Sequence, residues 1–278
     1  MHVMDAPWRG AALKLAGAAT TTGRHPVKAV HAALYSPTRP VVLWLPLRAW
    51  GWPRHGRVAR LSLQWLKAGL LAGLLLAMLA PRAWDVERML AAAQRLGPQA
   101  VSAARDLQAA HVAASELDEE GKLQAVNQFF NRRIVFRDDL DVWGQADYWA
   151  SPLETLSKGQ GDCEDFAIAK YFSLTNLGVP VARLRLVYVR AQIGGPDGAV
   201  QAHMVLAYYS KPGAEPLILD NLITELRPAS RRPDLAPVFS FNGEGLWQGV
   251  GGAAAGDPTA RLSRWREVLA KARAEGFQ

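Results

Sequence analysis

Cysteine is nearly absent: the 278-residue chain has one, Cys163. A single cysteine excludes an internal disulfide framework and any zinc site built from several thiolates. Acid is nearly absent from the front of the chain. Residues 1–83 hold 11 Lys/Arg against one acid, Asp5, a charge of +10. Residues 84–278 hold 21 Lys/Arg and 24 Asp/Glu, a charge of −3. The net +7 therefore belongs to the leader, and nucleic-acid binding loses its main support. Long apolar runs are scarce too. The uncharged stretch 68–80 has 13 residues, short for a spanning helix and suited to the apolar core of a secretory signal.

Arg54, Arg57, Arg60 and Lys67 precede that stretch as a basic flank. Residues 61–80 would span a bilayer if Lys67 snorkels to the interface. No clean A-x-A cleavage site surrounds Pro81-Arg82-Ala83, so residues 61–83 read either as a signal sequence or as a membrane anchor. A buried core helix is the bland alternative. Either export reading leaves the basic flank in the cytoplasm and puts the rest of the chain in the periplasm. Residues 1–60 have no sustained periodicity and read as a disordered or untranslated leader. Residues 84–278 form the third segment, and the whole chain's apolar share of 50% and charged share of 21% are enough for a real core.

Within that segment, residues 84–112 read as one helix. A second runs from about Ser115, a candidate cap, to Arg132, with Leu123, Val126, Phe129 and Phe130 as its apolar stripe. A loop of acids and aromatics comes next, then a short helix after Ser151-Pro152. In "GQGDCEDFAIAK", Asp162 reads as the N-cap of a further helix, with Asp165 in a capping-box-like position. Gly178 and Pro180 stop it. The period then changes to that of strands over 183–190, 201–209 and 216–220, the last two joined by the turn "SKPGAE". A Gly/Ala linker near 250–256 precedes a last amphipathic helix from Asp257-Pro258, with Leu262, Trp265 and Leu269 inward. Helices and then antiparallel strands make an α+β fold.

Cys163 sits on a helix first turn among Asp162, Glu164 and Asp165. Those carboxylates oppose a thiolate, whereas the helix N-terminus favours one. His203 and Asp220 lie on the two strands of the hairpin. A turn centred between Lys211 and Pro212 pairs them directly, and one centred on Pro212-Gly213 shifts the pairing by two residues. They are neighbours in either register. Cys, His and an orienting Asp suit acyl transfer by thiolate attack on an amide carbonyl. Each residue alone also has a plain structural reading, and spacing leaves both open. Zinc on Cys163 and His203 is a further, weaker reading. An oxyanion donor is sought in the Cys163 N–H and near Tyr148-Trp149.

The stretches "FNRRIVFRDDLDVWGQADYWASPLETL", "DCEDFAIAKYFSLTNLGVP", "QAHMVLAYY", "LILDNL" and "FNGEGLW" occur in order over about residues 110–250. Together they resemble the bacterial transglutaminase-like cysteine proteinases, in particular their periplasmic, adhesin-releasing LapG type. The resemblance implies a papain/transglutaminase-like fold and a Cys-His-Asp triad falling on Cys163, His203 and Asp220. It implies Ca2+ held by acids matching Asp162 and Glu164. It implies a large surface adhesin as protein substrate, cut near its N-terminus, and an inner-membrane cyclic-di-GMP receptor as inhibitory partner. A cation would also resolve the conflict of charge around Cys163. Oxygen ligands favour calcium over zinc, and two side chains cannot complete its shell of roughly six to eight oxygens. The acidic loop 138–147 is the natural further source, with Asp147 the candidate. The same triad also serves a transglutaminase or other amide acyltransferase, which stands as the alternative activity.

Overall fold

The computed structural model describes residues 84–195, 197–251 and 254–277. The expected leader, 1–60, and the signal or anchor segment, 61–83, lie outside the described residues. Asp85 opens α1 (Val86–Leu96), its carboxylate accepting from the Arg88 N–H at 3.0 Å. Gly97, at φ 111°, has backbone torsions that L side chains rarely adopt. Pro98 then begins α2 (Pro98–Ser115) at a position that needs no N–H. This Gly-Pro pair makes two helices of the one expected over 84–112. Ser115 is not the cap of the next helix, because its hydroxyl donates back to the Val112 carbonyl at 2.7 Å. Asp118 caps α3 (Glu119–Arg133) instead, accepting from the Gly121 N–H at 2.8 Å.

Strand β1 (Val135–Phe136) comes next, then α4 (Asp139–Trp143), a short helix inside the stretch expected to be a loop. The chain continues through α5 (Pro152–Lys158) and β2 (Gln160–Gly161), the latter pairing in parallel with β1. Ser151 and Glu154 close a full capping box at the start of α5. Helix α6 (Cys163–Asn176) is buried on nearly every side, through Phe166, Ile168, Ala169, Phe172 and Leu174 among others. A helix buried on nearly every side is a central helix, although this one also buries Glu164, Asp165 and Lys170.

The long strands β3 (Leu184–Ile193) and β4 (Ala199–Tyr208) pair antiparallel along their whole length, from Leu184↔Tyr208 to Ile193↔Ala199. Strands β5 (Leu217–Leu219), β6 (Arg227–Pro228), β7 (Leu235–Phe241), β8 (Leu246–Gln248) and β9 (Ala254–Gly256) complete one antiparallel sheet. Its order is β6-β5-β4-β3-β7-β8-β9. Alternate residues serve two cores. Leu184, Leu186, Met204, Leu206 and Leu219 join α6 in the main core, and Val187, Val189, Val205, Ala207 and Ile218 form a second cluster.

The chain ends in α7 (Pro258–Arg261) and α8 (Ser263–Ala274), so the expected last helix is two, broken at Leu262. Trp265 of α8 is fully buried against Tyr171, Phe172 and Phe241. Its indole N–H donates to the Asn242 carbonyl at 3.1 Å. Among the described residues no helix is long and apolar enough to cross a membrane.

Candidate active site

Cys163 is the first residue of α6 and is partly exposed. Its thiol donates to Glu164 Oε2 at 3.0 Å. Burial pushes the thiol pKa well up, and the Glu164 and Asp162 carboxylates push it further. The backbone of Met204 works in the opposite direction. Met204 comes directly after His203 in β4, so the thiol lies against the strand segment that carries the histidine.

Hairpin register decides how that histidine meets its acid. Leu206 pairs with Leu219 and Tyr208 with Leu217, the register of a turn centred on Pro212-Gly213. Asp220 thus sits just past the end of β5, offset from a direct pairing with His203. The side chains still meet: His203 Nε2 lies 2.8 Å from Asp220 Oδ1, both residues buried. Burial alone would raise the Asp220 pKa. The His203 hydrogen bond and charge, the Leu222 N–H at 3.1 Å and Arg232 overcome it, holding the carboxyl at about 2. With Nε2 committed to Asp220, Nδ1 is the ring nitrogen left to act as a base.

The acids beside the thiol belong to a larger group. Three sets of ligand atoms each lie within 4.8 Å of one another: Asp162, Cys163 and Glu164; Asp139, Asp162 and Asp165; and Asp139, Asp147 and Glu164. Asp139 and Asp165 complete the cluster beyond the three ligand candidates read from the sequence, Asp162, Glu164 and Asp147. Asp139 Oδ1, Asp162 Oδ1, Glu164 Oε1 and Asp165 Oδ2 are buried without a hydrogen-bond partner. Burial, then mutual repulsion, raises Asp139 to about 7 and pushes Asp162 upward. Buried carboxylates without compensation are costly, so the donor set fits a hard cation taking oxygen ligands. Asp147 is already partnered: it accepts from the Trp149 indole at 3.1 Å and pairs with Arg264 at 2.9 Å.

Asp162 gives α6 an N-cap backbone but makes no side-chain cap bond, which corrects the capping-box reading. Asp165 instead accepts from the Ala150 N–H at 2.9 Å. Its carboxylate presses on Gly161, where an added Cβ would stand 2.6 Å from Oδ2. Both side chains considered as oxyanion donors are engaged elsewhere, the Trp149 indole with Asp147 and the Tyr148 hydroxyl with Glu154. None of the three acidic groups includes a histidine, so they lend nothing to zinc on Cys163 and His203. Sequence patterns also give no sign of Lys170, which is 1% exposed with no hydrogen bond at Nζ.

A cysteine at a helix start, packed on an antiparallel sheet, defines a thiol enzyme of the transglutaminase-like α+β class. The sequence model of the bacterial transglutaminase-like cysteine proteinases (BTLCP) matches residues 99–233. Legionella pneumophila LapG is similar at 38% identity, the match covering 68% of this chain and 97% of that one, with a TM-score of 0.58. The calcium-bound form of that LapG matches at 37% identity over 67% and 98%, TM-score 0.58. Its EGTA-treated form matches at 37% over 68% and 97%, TM-score 0.60. No curated protein matches the chain. The chain belongs to the bacterial transglutaminase-like cysteine proteinases, and its class of activity is cysteine proteolysis.

Proposed function

We propose that this chain is an exported, calcium-dependent cysteine endopeptidase. It cuts the N-terminal region of a large cell-surface adhesin, releasing the adhesin and promoting biofilm dispersal. One arrangement carries the reading: the single thiol begins a buried helix packed on β4, the strand that carries a histidine held by Asp220 at 2.8 Å.

In this reading Cys163 is the nucleophile, His203 the base and Asp220 the residue that orients the imidazole. The Cys163 proton passes to His203 Nδ1, and the thiolate attacks the scissile amide carbonyl. His203 then gives that proton to the departing amine, leaving a thioester on Cys163. Water, deprotonated by the same nitrogen, attacks the thioester; the acid product leaves and the thiol is restored. Asp220 keeps the proton on Nε2 and stabilises the imidazolium throughout.

Asp162, Glu164, Asp139 and Asp165 would hold calcium, with Asp147 beside them. The likeness to a calcium-bound LapG supports this, as do four buried carboxylate oxygens without partners. A bound cation supplies the positive charge that offsets the acids around the thiol. Glu164, otherwise the acceptor of the thiol proton, is then a weaker competitor of His203.

Export rests on the basic flank before 68–80, and fusion of a periplasm-specific reporter after residue 100 tests it. A silent reporter beside an active cytoplasmic control would contradict export. Regulation by sequestration on an inner-membrane cyclic-di-GMP receptor belongs to the same proposal. Activity is tested by incubating the full chain with adhesin N-terminal regions, with calcium or chelator, and with a labelled amine. Calcium-dependent cleavage without amine incorporation is expected. Amine incorporation without cleavage would establish the acyltransferase alternative.

A further inference from the structure

Arg232 lies just past the turn after β6 and is 4% exposed, a charged side chain that the proposed chemistry leaves without a task. Its guanidinium bridges two carboxylates. Nη2 donates to Asp220 Oδ2 at 2.8 Å and to Asp234 Oδ2 at 2.7 Å, and Nε donates to Asp234 Oδ1 at 3.0 Å. The opposite oxygen of Asp220 takes the other two bonds, from His203 Nε2 at 2.8 Å and the Leu222 N–H at 3.1 Å. The Asp220 carboxylate is therefore gripped at both oxygens. It cannot rotate away from His203 without breaking a buried charge-assisted bond. Asp234, with a side chain 36% exposed, braces the guanidinium from the solvent side. Lys170 also acts electrostatically on Asp220, but its Nζ makes no hydrogen bond, so it cannot set the carboxylate's orientation.

We propose that Arg232 is a positioning residue: its planar fork closes on Asp234 and so aims Nη2–H at Asp220 Oδ2, which leaves Oδ1 to hold His203 by Nε2–H and keeps Nδ1 as the basic nitrogen. A lysine could supply the charge but not the fork. Without Arg232, Oδ2 is a buried acceptor facing Asp234 with no donor between them, and the carboxylate is free to turn. The imidazole then loses the bond that selects its tautomer. The inference rests on the proposed roles of His203 and Asp220, but one of its tests needs no substrate.

The test is made on the full chain with calcium present, as wild type, Arg232→Gln and Arg232→Lys. Nitrogen-15 NMR of the His203 ring reports which nitrogen carries the proton, and adhesin-peptide kinetics report kcat and KM separately. Wherever the wild-type ring is neutral, its proton should sit on Nε2. Arg232→Gln should show mixed tautomers, with kcat lowered about tenfold to a hundredfold and KM within about twofold. Arg232→Lys should fall between the two. If thermal melting shows that the Gln variant does not fold, the Lys variant decides, and mixed tautomers with a severalfold loss of kcat are expected of it. A wild-type tautomer in a folded variant overturns the proposal, whether kcat is unchanged or lowered, since a loss with the tautomer intact would mean a structural role only. A wild-type chain that cleaves no peptide would count against the endopeptidase reading, while the tautomer measurement would still judge Arg232.

Discussion

The thiol of Cys163 donates to Glu164 at 3.0 Å, so the proton that must leave the sulfur is held by the neighbouring residue in the chain. Burial and the two flanking acids also push the thiol pKa up. A cation on those acids would reverse that opposition. Chelation should suppress cleavage reversibly, and calcium should restore it better than magnesium, which demands a small octahedral shell. Asp162→Ala and Glu164→Ala should lose calcium affinity and activity together, by at least about tenfold. Asp139→Asn and Asp165→Asn should do the same. Calorimetric calcium titration beside a cleavage assay checks this; full activity in chelator would contradict it.

His203→Ala and Asp220→Ala should each lower kcat by about 10²- to 10⁴-fold, the range for loss of a general base or its orienting carboxylate. Asp220→Asn should be impaired as well, because an amide offers no negative charge to an imidazolium. Steady-state kinetics on folded variants, verified by circular dichroism, decide the matter.

The hairpin shows how far sequence reading reaches. Strong alternation marks β3 and β4, and turn residues mark the loop before β5, so His203 and Asp220 are neighbours in any sensible register. Only the pairing of Leu206 with Leu219 selects one register. Strands β7 to β9 escape because β7 carries Pro237 and a register shift against β3, while β8 and β9 have three residues each. Sequence confines Asp139 to an acidic loop, but no local pattern distinguishes it from Asp138 or Asp141. It joins the acidic cluster only by folding against Asp162, Asp165 and Glu164. Asp165 resembles a cap because capping and ligation use the same residue types at the same helix end. Arg232 sits in a stretch without periodicity, and its partner Asp220 is twelve residues away.

Lys170 should make stability depend on pH. Burial lowers its pKa from 10.5 to about 7, despite the favourable charge of Asp220. Between those values the unfolded chain holds more protons, so stability should rise with pH from 7 to 10.5, and this group should add no pH dependence below 7. Lys170→Met should raise the melting temperature at neutral pH and flatten that rise, the charged form costing a few kcal/mol. Melting curves from about pH 6 to about pH 10 check it; equal slopes in the two proteins would contradict it.

The C-terminal helix is part of the folded unit, because Trp265 fills the space between Tyr171, Phe172 and Phe241. Trp265→Ala should cost about 3–5 kcal/mol. Deleting the chain from Asp257 onward should leave no cooperative unfolding transition. Urea denaturation of both variants measures the effect, and a cost below about 1 kcal/mol would contradict the packing account.

The central claim is that Cys163 cuts a peptide bond with the acids beside it neutralised. Its most direct test is mass spectrometry of an adhesin N-terminal fragment incubated with wild type and with Cys163→Ala, each in calcium and in chelator. The account predicts a single set of cleavage products, from wild type in calcium alone, with an uncut fragment in the other three samples. Products from Cys163→Ala at the wild-type rate would contradict it.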